Sequence, residues 1–203
     1  MVARLSITEA AAALAAGEVV AVPTDTVYGL AASLDHPRAV EEIFALKQRP
    51  QDVALPVMIA SPAQLDDMGV SWPAAAQALA AKFWPGALTI VVPVAADLAQ
   101  RVGAVDSLGF RIPNQAVLLD LLRHSGALAV TSANRHGQPP CETADEVLDV
   151  FRDSGLRGVV DGGRGGGVPS TVVRISPPWR ILRQGAVSID ELTPILGPQT
   201  DGE

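Results

Sequence analysis

Strand-length apolar runs and capped helical segments alternate from one end of this chain to the other, and no linker divides them. Ser6-Ile7-Thr8-Glu9 is a capping box ahead of an alanine run. Serine and glutamate there satisfy each other's backbone donors, which starts a helix that alanine then favours. Gly17 follows as its terminator. A strand is expected over 18–22, stopped by Pro23, and then a polar loop over 24–30. Pro37 opens a helix with an apolar stripe of Val40, Ile43, Phe44 and Leu46, ending at Lys47-Gln48-Arg49-Pro50. Further on, strands are expected over 55–60, 87–92, 108–112, 127–131 and 159–160. Helices are expected after Ser61-Pro62, from Pro73 to Phe83, and over 117–122 and 142–151. Residues 171–175 and 179–182 flank Ser176-Pro177-Pro178 as a hairpin, and Ser188 with Glu191 makes a second capping box. Residues 197–203 read as a frayed tail.

Connections of both crossover and hairpin length imply a single α/β domain with a mixed sheet. The chain has 203 residues, 48% of them apolar, enough for a packed core and far from a disordered composition. One cysteine, Cys141, excludes an internal disulfide framework and fits a reducing, cytoplasmic setting. No apolar run approaches a membrane span, and the N-terminus lacks the pattern of an export signal, so no membrane association is expected. The net charge of −7 argues against non-specific coating of nucleic acid. The motifs of Walker, Rossmann, α/β-hydrolase and zincin sites are absent, and the three histidines are scattered. An enzyme built from such a chain works by positioning and charge stabilisation, without a protein metal cage.

Polar residues gather where loops meet strands. Thr24, Asp25, Thr26 and Tyr28, the only tyrosine, crowd the loop after a strand end. They suit a small polar ligand at a strand's carboxyl end or, as the commoner arrangement, a hydroxyl-capped turn with Tyr28 in the core. Lys47 and Arg49 suit a polyphosphate, or a cationic cap on an exposed helix end. Ser132 and Asn134 offer a hydroxyl and an amide to an anion, or form a plain turn. Arg111 lies in an apolar strand beside Ser107. Such an arginine needs an anionic partner: Asp25 or Asp161 on a structural reading, a ligand carboxylate on a functional one. The glycine run over 162–167 makes either an anion nest or a flexible surface loop. Ser170 follows it, and Arg183 ends the last strand.

Taken in order, Val-Pro-Thr-Asp-Thr-Val-Tyr-Gly-Leu (22–30), Lys-Gln-Arg-Pro (47–50), Phe-Trp-Pro-Gly-Ala-Leu-Thr (83–89), Arg-Ile-Pro (111–113), Thr-Ser-Ala-Asn (131–134), Ser-Thr-Val-Val (170–173) and Ile-Leu-Arg-Gln-Gly (181–185) resemble the YrdC-like threonylcarbamoyl-AMP synthase family. The resemblance covers residues 5–189 as one YrdC-like domain. Longer members carry a further C-terminal domain, for which this chain has no room.

The resemblance implies a twisted sheet with flanking helices around a concave basic groove. It implies a nucleotidyltransferase that makes threonylcarbamoyl-adenylate and pyrophosphate from L-threonine, bicarbonate and ATP. Magnesium rides on the ATP phosphates, and a partner transferase passes the group to tRNA; direct tRNA contact is left open. By position, Thr26, Arg111 and Ser170 would bind threonine, with Thr24 and Tyr28 at the entry. Lys47, Arg49, Ser107, Ser132, Asn134 and Arg183 would bind ATP and pyrophosphate, Lys47 and Arg49 also serving the reaction. The chain departs from the family pattern at Val53 and Ala54, where a lysine or asparagine and a proline are usual, and at Asn114-Gln115-Ala116. The alternative is a non-catalytic RNA-binding or regulatory paralogue on the same fold, which the acidic balance and few exposed aromatics disfavour.

Overall fold

The structure is a computed structural model and describes residues 2–48 and 54–199. In chain order these form β1 (Ala3–Leu5), α1 (Ile7–Ala15), β2 (Val20–Val22), β3 (Gly29–Ser33), α2 (Pro37–Lys47), β4 (Val57–Met58), α3 (Ala63–Asp67), α4 (Ala74–Phe83) and β5 (Leu88–Pro93). Then follow α5 (Ala96–Gln100), β6 (Ser107–Arg111), α6 (Ala116–Ser125), β7 (Leu128–Ser132), α7 (Ala144–Val150), β8 (Gly158–Val160), β9 (Thr171–Arg174), β10 (Arg180–Arg183) and α8 (Ile189–Leu196). No helix among them is long and apolar enough to cross a membrane.

All ten strands join one mixed sheet in the order β1-β8-β2-β3-β7-β4-β6-β5-β9-β10. The pairs β1/β8, β2/β8, β4/β6 and β5/β9 are parallel and the others antiparallel. The local signals act as expected. Ser6 Oγ accepts from the Glu9 N–H and the Glu9 carboxylate takes the Ser6 N–H at 2.8 Å. Glu191 closes the start of α8 the same way, at 2.9 Å from the Ser188 N–H. The hairpin forms, with Arg180 opposite Arg174 and a register shift before Arg183.

Three elements were not expected from the sequence: β1, α5 and, most consequentially, β3. The expected strand over 55–60 shrinks to Val57–Met58. Gly29-Leu30-Ala31-Ala32-Ser33 has little intrinsic strand preference. It becomes a central strand because β2 and β7 flank it antiparallel on both edges.

Helices cover the two sheet faces unequally. On one face α1 and α6 pack over β2, β3, β7 and β8 through Leu14, Leu118, Leu122, Val22 and Val130. On the other, α2, α4, α7 and α8 bury Ile43, Leu79, Val147 and Leu192 against Leu30, Phe110 and Val173. The face covered by α1 and α6 continues past Met58 over β6, β5 and β9, where it becomes the wall of a cavity. Period-2 alternation explains the lining. In β6, Leu108 and Phe110 enter the core, while Ser107, Gly109 and Arg111 face the cavity. Gly109 is needed there, since a Cβ would fall 2.8 Å from the Thr89 methyl.

Candidate active site

The cavity has a volume of about 690 Å3. Thr24, Thr26, Ser107, Arg111, Ser132, Ser170 and Arg183 all line it, so residues spread over 160 positions of the chain converge on one space. Its described lining contains two guanidinium groups and no carboxylate. Leu55, Met58, Val91, Val172 and Leu182 supply an apolar wall.

Arg111 is the most constrained of these groups. The residue is 3% exposed and its guanidinium is fixed at all three nitrogens. Nε donates to Gly86 O at 2.8 Å, Nη1 to Thr26 Oγ1 at 3.1 Å, and Nη2 to Asp25 Oδ1 at 2.6 Å. Burial lowers its pKa, and Asp25 opposes that shift. Asp25, and not Asp161, is therefore its internal acid; Asp161 instead pairs with Arg4.

The loop after β2 is held by its own hydroxyls. Thr24 Oγ1 donates to Val27 O at 2.6 Å and accepts from the Thr26 and Val27 N–H groups. It also lies 2.8 Å from Thr26 Oγ1. Tyr28 borders the cavity, but its ring is fully buried and its hydroxyl donates to Gly163 O at 2.8 Å. Burial raises its phenol pKa. Tyr28 thus joins Thr24 in the cavity lining while its ring packs in the core.

The glycine run is neither an anion nest nor a loose loop. Its glycine N–H groups are spent within the protein: Gly162 on Tyr28 Oη at 3.2 Å, Gly163 on Asp161 Oδ1 at 3.0 Å, Gly165 on Glu142 O at 2.8 Å, Gly166 on Asp25 O at 3.3 Å and Gly167 on Thr26 O at 2.7 Å. It forms a strap across the Thr24–Thr26 loop. A Cβ at Gly165 would sit 2.7 Å from Thr26 O, so only glycine allows this approach.

Lys47 was expected on an exposed helix end, and this is corrected: the residue is 3% exposed. Its ammonium donates to Ser132 O at 2.5 Å, Asn134 O at 3.2 Å and Asn134 Oδ1 at 2.7 Å. Asn134 uses its whole amide internally. Oδ1 also accepts from Ser132 Oγ at 2.7 Å, and Nδ2 donates to Arg135 O and Gln138 O. Lys47 and Asn134 thus lie behind Ser132 and are not part of the described cavity wall. Arg49 and Val53 lie outside the described residues, whereas Ala54 lines the cavity.

At the opposite wall Ser170 Oγ lies 3.0 Å from Thr89 Oγ1 and accepts from Arg183 Nη2 at 2.9 Å. Arg183 Nε and Nη2 also donate to Ser170 O, and desolvation lowers the Arg183 pKa. Thr89 escaped the sequence reading. Its signal was a lone hydroxyl at a cavity-facing position of an otherwise apolar strand. Cys141 is buried, and burial pushes its thiol up to about 11, the state of an unreactive thiol. Among the described residues no cluster of three His, Cys, Asp or Glu side chains could hold a metal ion.

The combination of buried arginine, hydroxyls and an apolar wall fits a small zwitterionic or carboxylate ligand beside a larger, partly apolar one. Comparison with known proteins identifies the family. The Bacillus subtilis protein named threonylcarbamoyl-AMP synthase is 40% identical over 197 residues, covering 95% of this chain and 57% of that protein. The chain thus spans little more than half the length of that relative. A putative threonylcarbamoyl-AMP synthase of Mycobacterium tuberculosis (strain ATCC 25618 / H37Rv) is 34% identical, covering 94% of this chain and 89% of that protein. The crystal structure of Pyrococcus abyssi Sua5 complexed with L-threonine superposes with a TM-score of 0.89 at 34% identity, covering 97% of this chain and 61% of that one. E. coli YciO, at 23% identity and a TM-score of 0.80, shares the fold. The family model of Sua5, YciO and YrdC, described as telomere recombination, matches residues 12–185. With the motifs, the sheet and the cavity all in agreement with that match, the chain belongs to the Sua5/YciO/YrdC family.

Proposed function

We propose that this chain is an L-threonylcarbamoyladenylate synthase, joining L-threonine, bicarbonate and ATP with release of pyrophosphate, in service of tRNA threonylcarbamoyladenosine formation. The observation that carries the reading is the convergence of Thr26, Arg111, Ser170 and Arg183 on one cavity in a chain with 34% identity to a threonine-bound relative.

The threonine amine takes up bicarbonate to give a carbamate with loss of water, and a carbamate oxygen then attacks the α-phosphorus of ATP, expelling pyrophosphate. Such a step needs in-line placement and charge neutralisation more than covalent help. In this reading Arg111 takes the threonine carboxylate, and Thr26 and Ser170 complete that pocket. Arg183, Ser107 and Ser132 face the nucleotide and its leaving group, with Arg49 assigned there by its motif alone. Lys47 and Asn134 act at one remove, holding the Ser132 loop with a positive charge behind it. Magnesium carried on the ATP phosphates would supply charge neutralisation there, with no side chain of this chain assigned to hold it. A downstream transferase consumes the adenylate.

The test is pyrophosphate release from ATP. The reading expects release only when threonine and bicarbonate are both present. Release that ignores either one, or none at all, would contradict it. RNA binding without turnover would favour the regulatory paralogue.

A further inference from the structure

Asp25 reaches the cavity only through Arg111, and the reaction as described gives it no part. The loop that carries it does not depend on its carboxylate. Thr24 Oγ1 ties residues 24–27 together, and the strap fixes the Asp25 and Thr26 carbonyls from Gly166 and Gly167. Nor is the ion pair an efficient source of stability. Its side chains are 4% and 16% exposed, and at such depth desolvation of both charges offsets most of their attraction. What the carboxylate does determine is the orientation of the guanidinium.

A guanidinium has five N–H groups. Three are committed, to Gly86 O, Thr26 Oγ1 and Asp25 Oδ1, which leaves one on each terminal nitrogen. A carboxylate ligand is held best by two such donors in a fixed plane. Gly86 O fixes only the stem side of that plane, and Thr26 Oγ1 is a neutral acceptor at 3.1 Å. The 2.6 Å bond to Asp25 is the charge-assisted contact that stops the terminal nitrogens from turning.

We propose that Asp25 is a positioning residue: it locks the Arg111 guanidinium so that one N–H from each terminal nitrogen is presented to the carboxylate of the amino-acid substrate. This rests on the assignment of that carboxylate to Arg111 made under the proposed function.

The experiment compares Asp25→Ala and Asp25→Asn with the unmodified chain, varying threonine and ATP separately in the pyrophosphate assay and recording the melting temperature. Asp25→Ala is expected to raise the threonine KM by about tenfold or more, with kcat and the ATP KM within about threefold. Asp25→Asn, whose amide oxygen still accepts from Nη2, recovers part of that loss. A threonine KM unchanged in Asp25→Ala, a parallel rise for ATP, or failure of both variants to fold would overturn the proposal. Absence of threonine-dependent turnover in the unmodified chain would instead defeat the functional reading. The arginine Nη signals in nitrogen-15 spectra then still decide the positioning role. Slow rotation of the Arg111 Nη groups, lost in Asp25→Ala, supports it; the same averaging in both proteins overturns it.

Discussion

The Lys47 ammonium sits at the buried end of α2 among oxygens of Ser132 and Asn134. A cation in that position costs desolvation, and the oxygens it satisfies would be left without a donor if it were removed. Lys47→Ala is therefore expected to destabilise the fold by roughly 2–4 kcal/mol, visible as a lower melting temperature, along with lost activity. An unchanged melting temperature would mean that water replaces the ammonium at little cost. Cys141 makes a second residue-scale prediction. Its folded pKa is raised from 9.0 to about 11, first by burial and then by Glu146. The folded state thus holds the proton more tightly than the unfolded one. Stability from this group is complete below pH 9 and declines as pH rises toward 11, by about 2–3 kcal/mol in all. Cys141→Ala should flatten that alkaline decline in denaturant titrations, and a slope equal to that of the unmodified chain would contradict it.

Among the elements, the glycine strap over 165–167 connects backbone chemistry to the site. Gly165→Ala brings a Cβ within 2.7 Å of Thr26 O and 3.2 Å of Val27 Cα, backbone atoms that cannot turn aside. The strap must lift, and Thr26 with Asp25 moves. The expected result is threonine binding weakened by about tenfold in calorimetric titration, with ATP binding much less affected. Equal binding of both ligands would show that the strap is not a support. The strap also marks where a sequence reading stops. Capping boxes at Ser6 and Ser188, the Pro37 helix and the β9–β10 hairpin were legible because their bonds lie within a few residues. The strap's hold on the Thr24–Thr26 loop and the pairing of β3 with β7 were not, since those partners lie 141 and about 100 positions away. Likewise the burial of Lys47 is decided by Ser132 and Asn134, 85 and 87 positions on. A helix-end lysine looks the same in sequence whether water or a loop covers it.

At the scale of the whole molecule, one sheet face is shared between a helical layer and a cavity. The α1/α6 layer stops over β4, and the strands beyond turn small or polar side chains outward: Thr89, Ser107, Gly109, Arg111. Most of the site was legible as residue types in order, because strand ends in an open α/β sheet collect ligand-facing groups. The hidden part was who holds whom: Asp25 on Arg111, Thr89 on Ser170, Lys47 on Ser132 and Asn134. The central claim is that this cavity joins threonine, a bicarbonate carbon and an adenylate. The most direct measurement is mass spectrometry of the product formed from ATP, threonine and carbon-13 bicarbonate. The account predicts an adenylate carrying threonine and a single labelled carbon, formed in step with pyrophosphate. An adenylate without the label, or ATP hydrolysed to products free of threonine, would contradict it.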